Sequence, residues 1–307
     1  MNRRDFLGVA GAAGMAAVSG TNIAAAQNPA PSGKHFKLKY APHFGMFQNH
    51  AADDLDQVSF AADEGFEAWE DNGMTGRGED FQKKFAERMA KHNMQMGIFV
   101  CHGIDWQNPT LTTGKKDIRD KFVSDVKSAT EVAKRINAKW ATTVIGRVAQ
   151  NLPEGQQFAN AVECLRRAAE VCEAEKGGGG MVMVIEPLNW RDHPGQFANQ
   201  SHLLYAVAKA VNHPCLKILQ DLYHLQVTEG NLIDAMDRCW DEIAYFQTGD
   251  NPGRNEPGTG EVNYRNVFKH IHDKGFAGIL GMEHGNSQPG KEGERRVIDA
   301  YRVADEF

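Results

Sequence analysis

The sequence predicts an α/β fold, because short apolar segments alternate regularly with longer amphipathic segments along most of its 307 residues. The apolar segments have the length of buried strands, and the amphipathic segments have the length of helices that cover a sheet. The eight predicted strands are 38–42, 68–70, 96–101, 140–145, 181–186, 216–221, 243–247 and 279–283. Eight strands joined by right-handed helical crossovers close on themselves, so a single (β/α)8 TIM barrel is predicted.

The segments between these strands carry apolar residues at helical spacing, and most of them are bounded by Gly, Asn or Pro. The predicted helices include 52–63, 81–93, 118–135, 156–175, 201–211, 232–240 and 264–272. A doubly wound open sheet is the alternative α/β fold, and it places a glycine-rich turn after its first strand. The glycine run 177–180 instead precedes a predicted strand, which favours the barrel.

Residues 1–26 are predicted to be a cleavable twin-arginine (Tat) export signal that precedes the barrel. Arg3 and Arg4 are followed by a run rich in Gly and Ala, and residues 24–26 are typical of a cleavage site. A membrane anchor is the alternative, but this run is too short and too weakly apolar to span a bilayer well. Residues 27–34 are predicted to be a linker and 35–307 the barrel. The mature protein is therefore expected outside the cytoplasm, periplasmic or extracytoplasmic, after passage through the Tat machinery.

Composition and charge exclude several classes of partner. The sequence has 34 Lys and Arg against 40 Asp and Glu, a net charge of −6, and 41% hydrophobic residues, which is an ordinary globular balance. No broad basic surface is available to neutralise phosphates, so nucleic acid is not an expected partner. No later segment is apolar for long enough to predict a membrane span. A small molecule is the expected partner, and the sequence leaves the oligomeric state open.

Acidic or amide side chains lie at the ends of four consecutive predicted strands, five to eight. They are Glu186, Asp221, Gln247 and Glu283. One acid at a strand end is most simply a helix N-cap or an ion-pair partner. Four in consecutive units are expected to converge, because the carboxyl ends of barrel strands form one face. Three carboxylates this close would repel each other unless a cation lay between them, and their oxygens suit Mg²⁺ or Mn²⁺, with Co²⁺ as a further alternative.

Four further residues near these strand ends are predicted to bind substrate. They are His102, His224, Arg254 and Glu256. His102 follows strand three, and His224 lies three residues beyond Asp221, where it can support a ligand or contact substrate. Arg254 lies in the Gly- and Pro-rich segment 249–261, whose composition suits a preorganised lid. The alternatives are a structural hydrogen bond for each histidine and an ion pair between Arg254 and Glu256.

Three stretches of the second half resemble the hydroxypyruvate isomerase family, which belongs to the xylose-isomerase-like TIM barrels. Residues 185–195 read IEPLNWRDHPG, residues 221–226 read DLYHLQ, and residues 250–264 read DNPGRNEPGTGEVNY. The resemblance covers residues 36–300, although its specific motifs lie in the second half. It implies that Glu186, Asp221, Gln247 and Glu283 are the metal ligands, and that Glu186 and Glu283 are the paired acid and base.

The resemblance implies a metal-dependent isomerase that moves a proton within a small α-hydroxycarbonyl compound through an enediolate. Hydroxypyruvate is the first expected substrate. The alternative is that the protein is a 3-epimerase that acts on ketoses or keto sugars. A phosphodiesterase like endonuclease IV would require several zinc ions, many histidines and a basic groove, which this sequence does not supply. An exported non-catalytic sugar-binding protein would have a similar pocket, but it gives no reason for three convergent acids.

Overall fold

The computed structural model describes residues 35–174 and 180–307. The predicted export signal and linker lie outside the described residues. Within them, each predicted strand overlaps an observed one, although several are shorter than predicted and the third shares only Met96 with the predicted strand 96–101. The strands are β1 (Lys39–Ala41), β2 (Ala68–Trp69), β3 (Gln95–Met96), β4 (Trp140–Thr143), β5 (Val182–Ile185), β6 (Leu216–Asp221), β7 (Ile243–Gln247) and β8 (Ile279–Gly281).

All strand pairs are parallel, as the alternation of strands and helices predicts. Six strands pair in the order β1-β8-β7-β6-β5-β4, and β2 pairs with β3. Single parallel bridges join the two sheets, between His43 and Glu70 on one side and between Val100 and Thr142 on the other. The strands therefore follow one another in the cyclic order of a TIM-barrel-like fold, with the least regular pairing around β2 and β3.

Helices cover the outside of the strands. In the described part of the chain they are α1 (Asp54–Asp63), α2 (Glu79–Lys91), α3 (Lys116–Ile136), α4 (Glu154–Ala174), α5 (Ser201–Val211), α6 (Leu222–Thr228), α7 (Leu232–Cys239), α8 (Tyr264–Asp273) and α9 (Gly290–Ala304). Three short 3₁₀ helices lie at Met74–Gly76, Leu111–Thr113 and Trp240–Glu242. Neither α6 nor α9 has a counterpart among the helices named from the sequence. The two turns of α6 are too short for a helical period to be visible in the sequence. None of the helices in residues 35–174 and 180–307 has the length and apolar character needed to cross a membrane.

The core has an inner and an outer part. A small inner cluster, in which Tyr245 and Trp140 are the largest side chains, fills the barrel, and a larger cluster fills the space between strands and helices. Burial of each large apolar side chain contributes about 1.5–3 kcal/mol. The inner cluster gives way to polar side chains at the carboxyl ends of the strands, which is where the candidate site lies.

Candidate active site

Four side chains from the carboxyl ends of β5, β6 and β8 meet at one point. They are Glu186, Asp221, His224 and Glu283, which each bring one possible ligand atom within 4.8 Å of the others. The Nε2 atom of His224 lies 3.5 Å from Oε1 of Glu186 and 3.5 Å from Oδ2 of Asp221. Three of the four predicted ligands therefore converge, and the predicted substrate residue His224 lies among them.

Asp221 organises this part of the site through its place in the chain. It is the last residue of β6 and the N-cap of α6, and its carboxylate accepts hydrogen bonds from the backbone N–H groups of Tyr223, at 2.8 Å, and His224. The N-cap bonds turn the chain directly from strand to helix. This turn brings His224, three residues later, back beside the carboxylate of Asp221.

The hydrogen bonds of His224 identify the ring nitrogen that carries its proton. The Nδ1 atom lies 3.2 Å from the backbone nitrogen of Asn189 and 2.7 Å from its Nδ2. The Oδ1 atom of Asn189 already accepts from the backbone N–H groups of Arg191 and Asp192, so its Nδ2 group faces the histidine. Burial lowers the pKa of His224 to about 4 and keeps the ring neutral. Nδ1 is therefore the acceptor, and the Nε2–H group is a donor aimed at the carboxylates, which suits contact with a substrate oxygen better than metal ligation.

Gln247 lies next to Asp221, because the two residues are register partners across β6 and β7. Its side chain is buried, and its Nε2 lies 3.4 Å from Oε1 of Glu70. Its own Oε1 is buried and has no hydrogen-bond partner among the described residues. Such an orphaned acceptor costs about 1–3 kcal/mol unless something binds it. Three carboxylates and this amide oxygen form a hard oxygen donor set, which fits a divalent cation such as Mg²⁺ or Mn²⁺.

Arg254, which is predicted to bind substrate, lies against two acids of the cluster. Its Nη2 lies 2.7 Å from Oδ2 of Asp221 and 2.5 Å from Oε2 of Glu283, and its guanidinium lies 4.7 Å from the ring centroid of Tyr223. The segment that carries it is fixed by Asp250, whose carboxylate accepts backbone hydrogen bonds from Asn251 and from three residues further along, at positions 258, 260 and 262. The predicted lid is therefore held in one conformation around Asp250.

The electrostatics follow from the crowding of buried acids. Burial, together with the charges of Glu283 and Asp221, raises the pKa of Glu186 well above its usual value. Burial also raises the pKa of Glu283 to about 7, although the Arg254 guanidinium opposes the shift. Burial alone would raise the pKa of Asp221, but His224, Arg254 and two backbone N–H groups hold it below its usual value. Two glutamates therefore titrate far from their ordinary range, as is common at catalytic sites.

Glu70 and Asn72 also belong to the site, and the sequence analysis did not single them out. Glu70 directly follows β2, is buried, and accepts a hydrogen bond from Oη of Tyr245 at 3.0 Å. Nδ2 of Asn72 donates to Oε1 of Glu283 at 2.9 Å. Glu70, Asn72 and Glu283 share the lining of a cavity of about 200 Å³. Glu70 ends predicted strand 68–70 in the same way that Glu186 ends its strand, and this is the signal that could have identified it.

Replacing Gly281 with Ala is expected to destabilise the protein by about 1–3 kcal/mol. A Cβ atom on Gly281, in β8, would overlap the buried carboxylate of Glu70. The free energy of unfolding in urea measures this effect. The matched control is Gly155→Ala in α4, where an added Cβ would meet nothing within 4 Å and a small gain in stability is expected. Equal unfolding free energies for the two variants would contradict this packing.

Two predicted substrate residues are not brought to the cluster. The His102 ring packs edge-on against Phe122, at 5.0 Å between centroids, beside a separate cavity of about 610 Å³ whose lining includes none of the four cluster residues. Burial lowers the pKa of His102 to about 4. Glu256 is buried, and its carboxylate accepts hydrogen bonds from the backbone N–H group, at 2.9 Å, and the hydroxyl of Ser287. Its contacts tie the lid segment to the loop after β8.

A parallel barrel with acidic residues converging at the carboxyl ends of its strands defines the class of protein. The chain belongs to the xylose isomerase-like TIM barrel family, whose model matches residues 58–304. It is 33% identical over 183 residues to hydroxypyruvate isomerase of Escherichia coli (strain K12), and the aligned region covers 60% of this chain and 69% of that protein. It is 28% identical over 247 residues to 2-oxo-tetronate isomerase of Cupriavidus necator, and the aligned region covers 80% of this chain and 92% of that protein.

Solved structures share the fold. A protein of Brucella melitensis described as an AP endonuclease of family 2 superposes with a TM-score of 0.73 at 23% identity, over 83% of this chain and 96% of that one. D-psicose 3-epimerase of Clostridium cellulolyticum H10 superposes with a TM-score of 0.68 at 16% identity, over 87% of this chain and 96% of that one. The family resemblance drawn from the sequence motifs is confirmed, and the named sequence relatives are isomerases.

Proposed function

We propose that the protein is a divalent-metal-dependent isomerase that moves a proton within a small α-hydroxycarbonyl compound, in the manner of a hydroxypyruvate isomerase. The observation that carries the proposal is the convergence of Glu186 and Glu283 with Asp221, with one ligand atom of each within 4.8 Å of the others. The relatives named hydroxypyruvate isomerase and 2-oxo-tetronate isomerase support the same class of reaction.

The metal is part of the proposal, and its support is the donor set. Glu186, Asp221, Gln247 and Glu283 would hold the ion, because three carboxylates exceed the single positive charge of Arg254 and the amide oxygen of Gln247 has no other partner in the described chain. When bound, the ion polarises the carbonyl and hydroxyl oxygens of the substrate and makes the C–H bond between them more acidic.

The residues of the chain supply the proton transfer. Glu186 or Glu283 takes the proton from one carbon, and the same or the other glutamate returns a proton to the neighbouring carbon. The pKa of Glu283, raised by burial to about 7, suits this exchange, because a group that titrates near neutral pH can both accept and donate, and the pKa of Glu186 is raised in the same direction. The Nε2–H group of His224 is directed to donate to a substrate oxygen, and Arg254 offsets the negative charge of Asp221 and Glu283.

A panel of compounds in D₂O with added Mn²⁺ tests the function. Hydroxypyruvate, 2-oxo-tetronate, tetroses, pentoses and ketohexoses are followed by NMR, and deuterium is expected at one carbon next to the carbonyl of the true substrate. Metal analysis of the purified protein is expected to find one divalent ion per chain. A sugar-binding protein without activity would give neither result, since it needs no metal and exchanges no proton.

A further inference from the structure

Three aromatic rings form a column that runs from solvent to the acidic cluster. The ring centroids of Trp106 and His193 are 5.2 Å apart, and those of His193 and His224 are 5.4 Å apart. Trp106 is 42% exposed, His193 is half-buried, and His224 is buried against the carboxylates of Glu186 and Asp221. The column therefore extends the site from the carboxylates of Glu186 and Asp221 toward solvent.

His193 has unused hydrogen-bonding capacity at this position. The Nδ1 atom of His224 is engaged by Asn189, whereas neither ring nitrogen of His193 has a hydrogen-bond partner in residues 35–174 and 180–307. An imidazole held between two rings with free nitrogens is oriented before a ligand arrives. It can donate to or accept from a ligand hydroxyl without losing a bond in the protein.

Hydrogen bonds from Arg147 hold together the two backbone segments that carry Trp106 and His193. One guanidinium nitrogen of Arg147, after β4, lies 3.4 Å from the carbonyl oxygen of Trp106 and 2.9 Å from that of Pro194. The backbone nitrogen of Val148 donates to the carbonyl of Gly195. Gly195 has a φ of +83°, and a Cβ on it would lie 2.7 Å from the same guanidinium. Arg147 thus joins the loop after β3 to the loop after β5, and this fixes Trp106 relative to His193.

The length of the column sets the size of ligand that can use it. Carbon–carbon bonds of about 1.5 Å place the end carbons of a three-carbon chain about 2.5 Å apart, and those of a six-carbon chain about 6 Å apart. His193 lies one ring beyond His224, at 5.4 Å between centroids, so the longer chain extends further along the column than the three-carbon acid. A sugar ring carried past His193 would lie against Trp106, whose ring centroid is 5.2 Å further on. An exposed indole face covers the apolar C–H face of a sugar ring, while a neighbouring imidazole bonds its hydroxyls.

We propose that Trp106 and His193 form an outer subsite for a sugar ring, so that the site prefers a keto sugar of six or more carbons to a three-carbon acid. This inference rests on the proposed function for the reaction at the glutamates. It adds the substrate class that the same site prefers.

Trp106→Ala and His193→Phe test the subsite, since the phenylalanine keeps the ring contacts and removes only the nitrogens. The rate of deuterium exchange is measured on D-fructose, as a ketohexose, and on hydroxypyruvate. Both variants are expected to lower kcat/KM for the ketohexose about tenfold, mainly through KM, and to leave hydroxypyruvate within about twofold. The matched control is Trp190→Ala, an exposed tryptophan on the loop after β5 that makes no ring contact in the described residues; neither substrate should respond to it. Equal effects on both substrates, or none, would overturn the subsite.

A binding experiment separates this proposal from the proposed reaction. Methyl β-D-glucoside has no carbonyl and cannot be isomerised, and saturation-transfer NMR detects its weak binding to the full protein. Binding is expected for the wild-type protein and for Trp190→Ala, and it should be lost in Trp106→Ala. If no compound exchanges deuterium but this pattern holds, the isomerase proposal fails and the sugar subsite remains. If the glucoside binds all three proteins equally, or none of them, the subsite is overturned whatever the exchange results.

Discussion

Glu283→Gln is expected to lower the rate of deuterium exchange into the substrate about a thousandfold, and Glu186→Gln should have an effect of the same order. The amide matches the carboxylate in shape but cannot accept the proton, so the proton transfer is lost. Exchange measured by NMR reports this step directly, because it does not depend on product release. Glu131→Gln on α3, where the glutamate is exposed and paired with Lys134, is the matched control and should retain full activity.

The melting temperature of the Glu283→Gln variant should show that its loss of deuterium exchange is not caused by unfolding. Burial raises the pKa of Glu283 from an ordinary value near 4.5 to about 7 in the folded, metal-free protein. A raised pKa means that the folded state holds this proton more tightly, so the ionised group disfavours folding as the pH rises through 7. The glutamine variant should therefore melt at a higher temperature than the metal-free wild type at pH 8 and show little difference at pH 4. Exchange retained in both glutamate variants would remove Glu186 and Glu283 from the mechanism.

Removing divalent ions with a chelator is expected to abolish exchange, and Mn²⁺ should restore it. Burial raises the pKa of Glu283 to about 7, so this group is protonated below about pH 7 in the metal-free protein, and burial with the charges of Glu283 and Asp221 raises the pKa of Glu186 well above its usual value. An ion must displace these protons, so its affinity should rise between pH 5.5 and 7.5. Calorimetric titration of Mn²⁺ in two buffers of different ionisation enthalpy measures the proton release.

Circular dichroism of the chelated protein is the control for this experiment, since the loss of activity must occur without loss of the fold. Full exchange after complete metal removal would contradict the metal requirement. An ion affinity that does not change with pH would instead contradict the raised pKa values of the two glutamates.

The acidic site was predictable because barrel strands direct their carboxyl ends to one face. Glu186, Asp221 and Glu283 each end an apolar run, so their convergence follows from the fold class alone. Glu70 ends its run in the same way, but its position beneath Gln247 depends on the side chains of β7 and β8 that surround it. Such packing across distant strands leaves no periodic signal in the sequence.

The histidines show where sequence reasoning stops. His102 and His224 both follow strands on the same face, and both were predicted to bind substrate. The N-cap of α6 returns His224 to the acids, whereas the ring of His102 packs on Phe122. Rotamer and local turn decide between these outcomes, and they depend on neighbours far away in the chain.

The sequence by itself determined the order of strands and helices, the barrel class and the carboxylates at its mouth, because hydrophobic periodicity and strand ends are local features. The export signal stays a prediction from its own local pattern. Only the tertiary structure decided that the Gln247 amide oxygen has no partner among the described residues, that Arg254 bridges two of the acids, and that the Trp106 ring packs on His193 next to His224. Each of these depends on distances between loops that are far apart in the sequence and become neighbours only when the barrel closes.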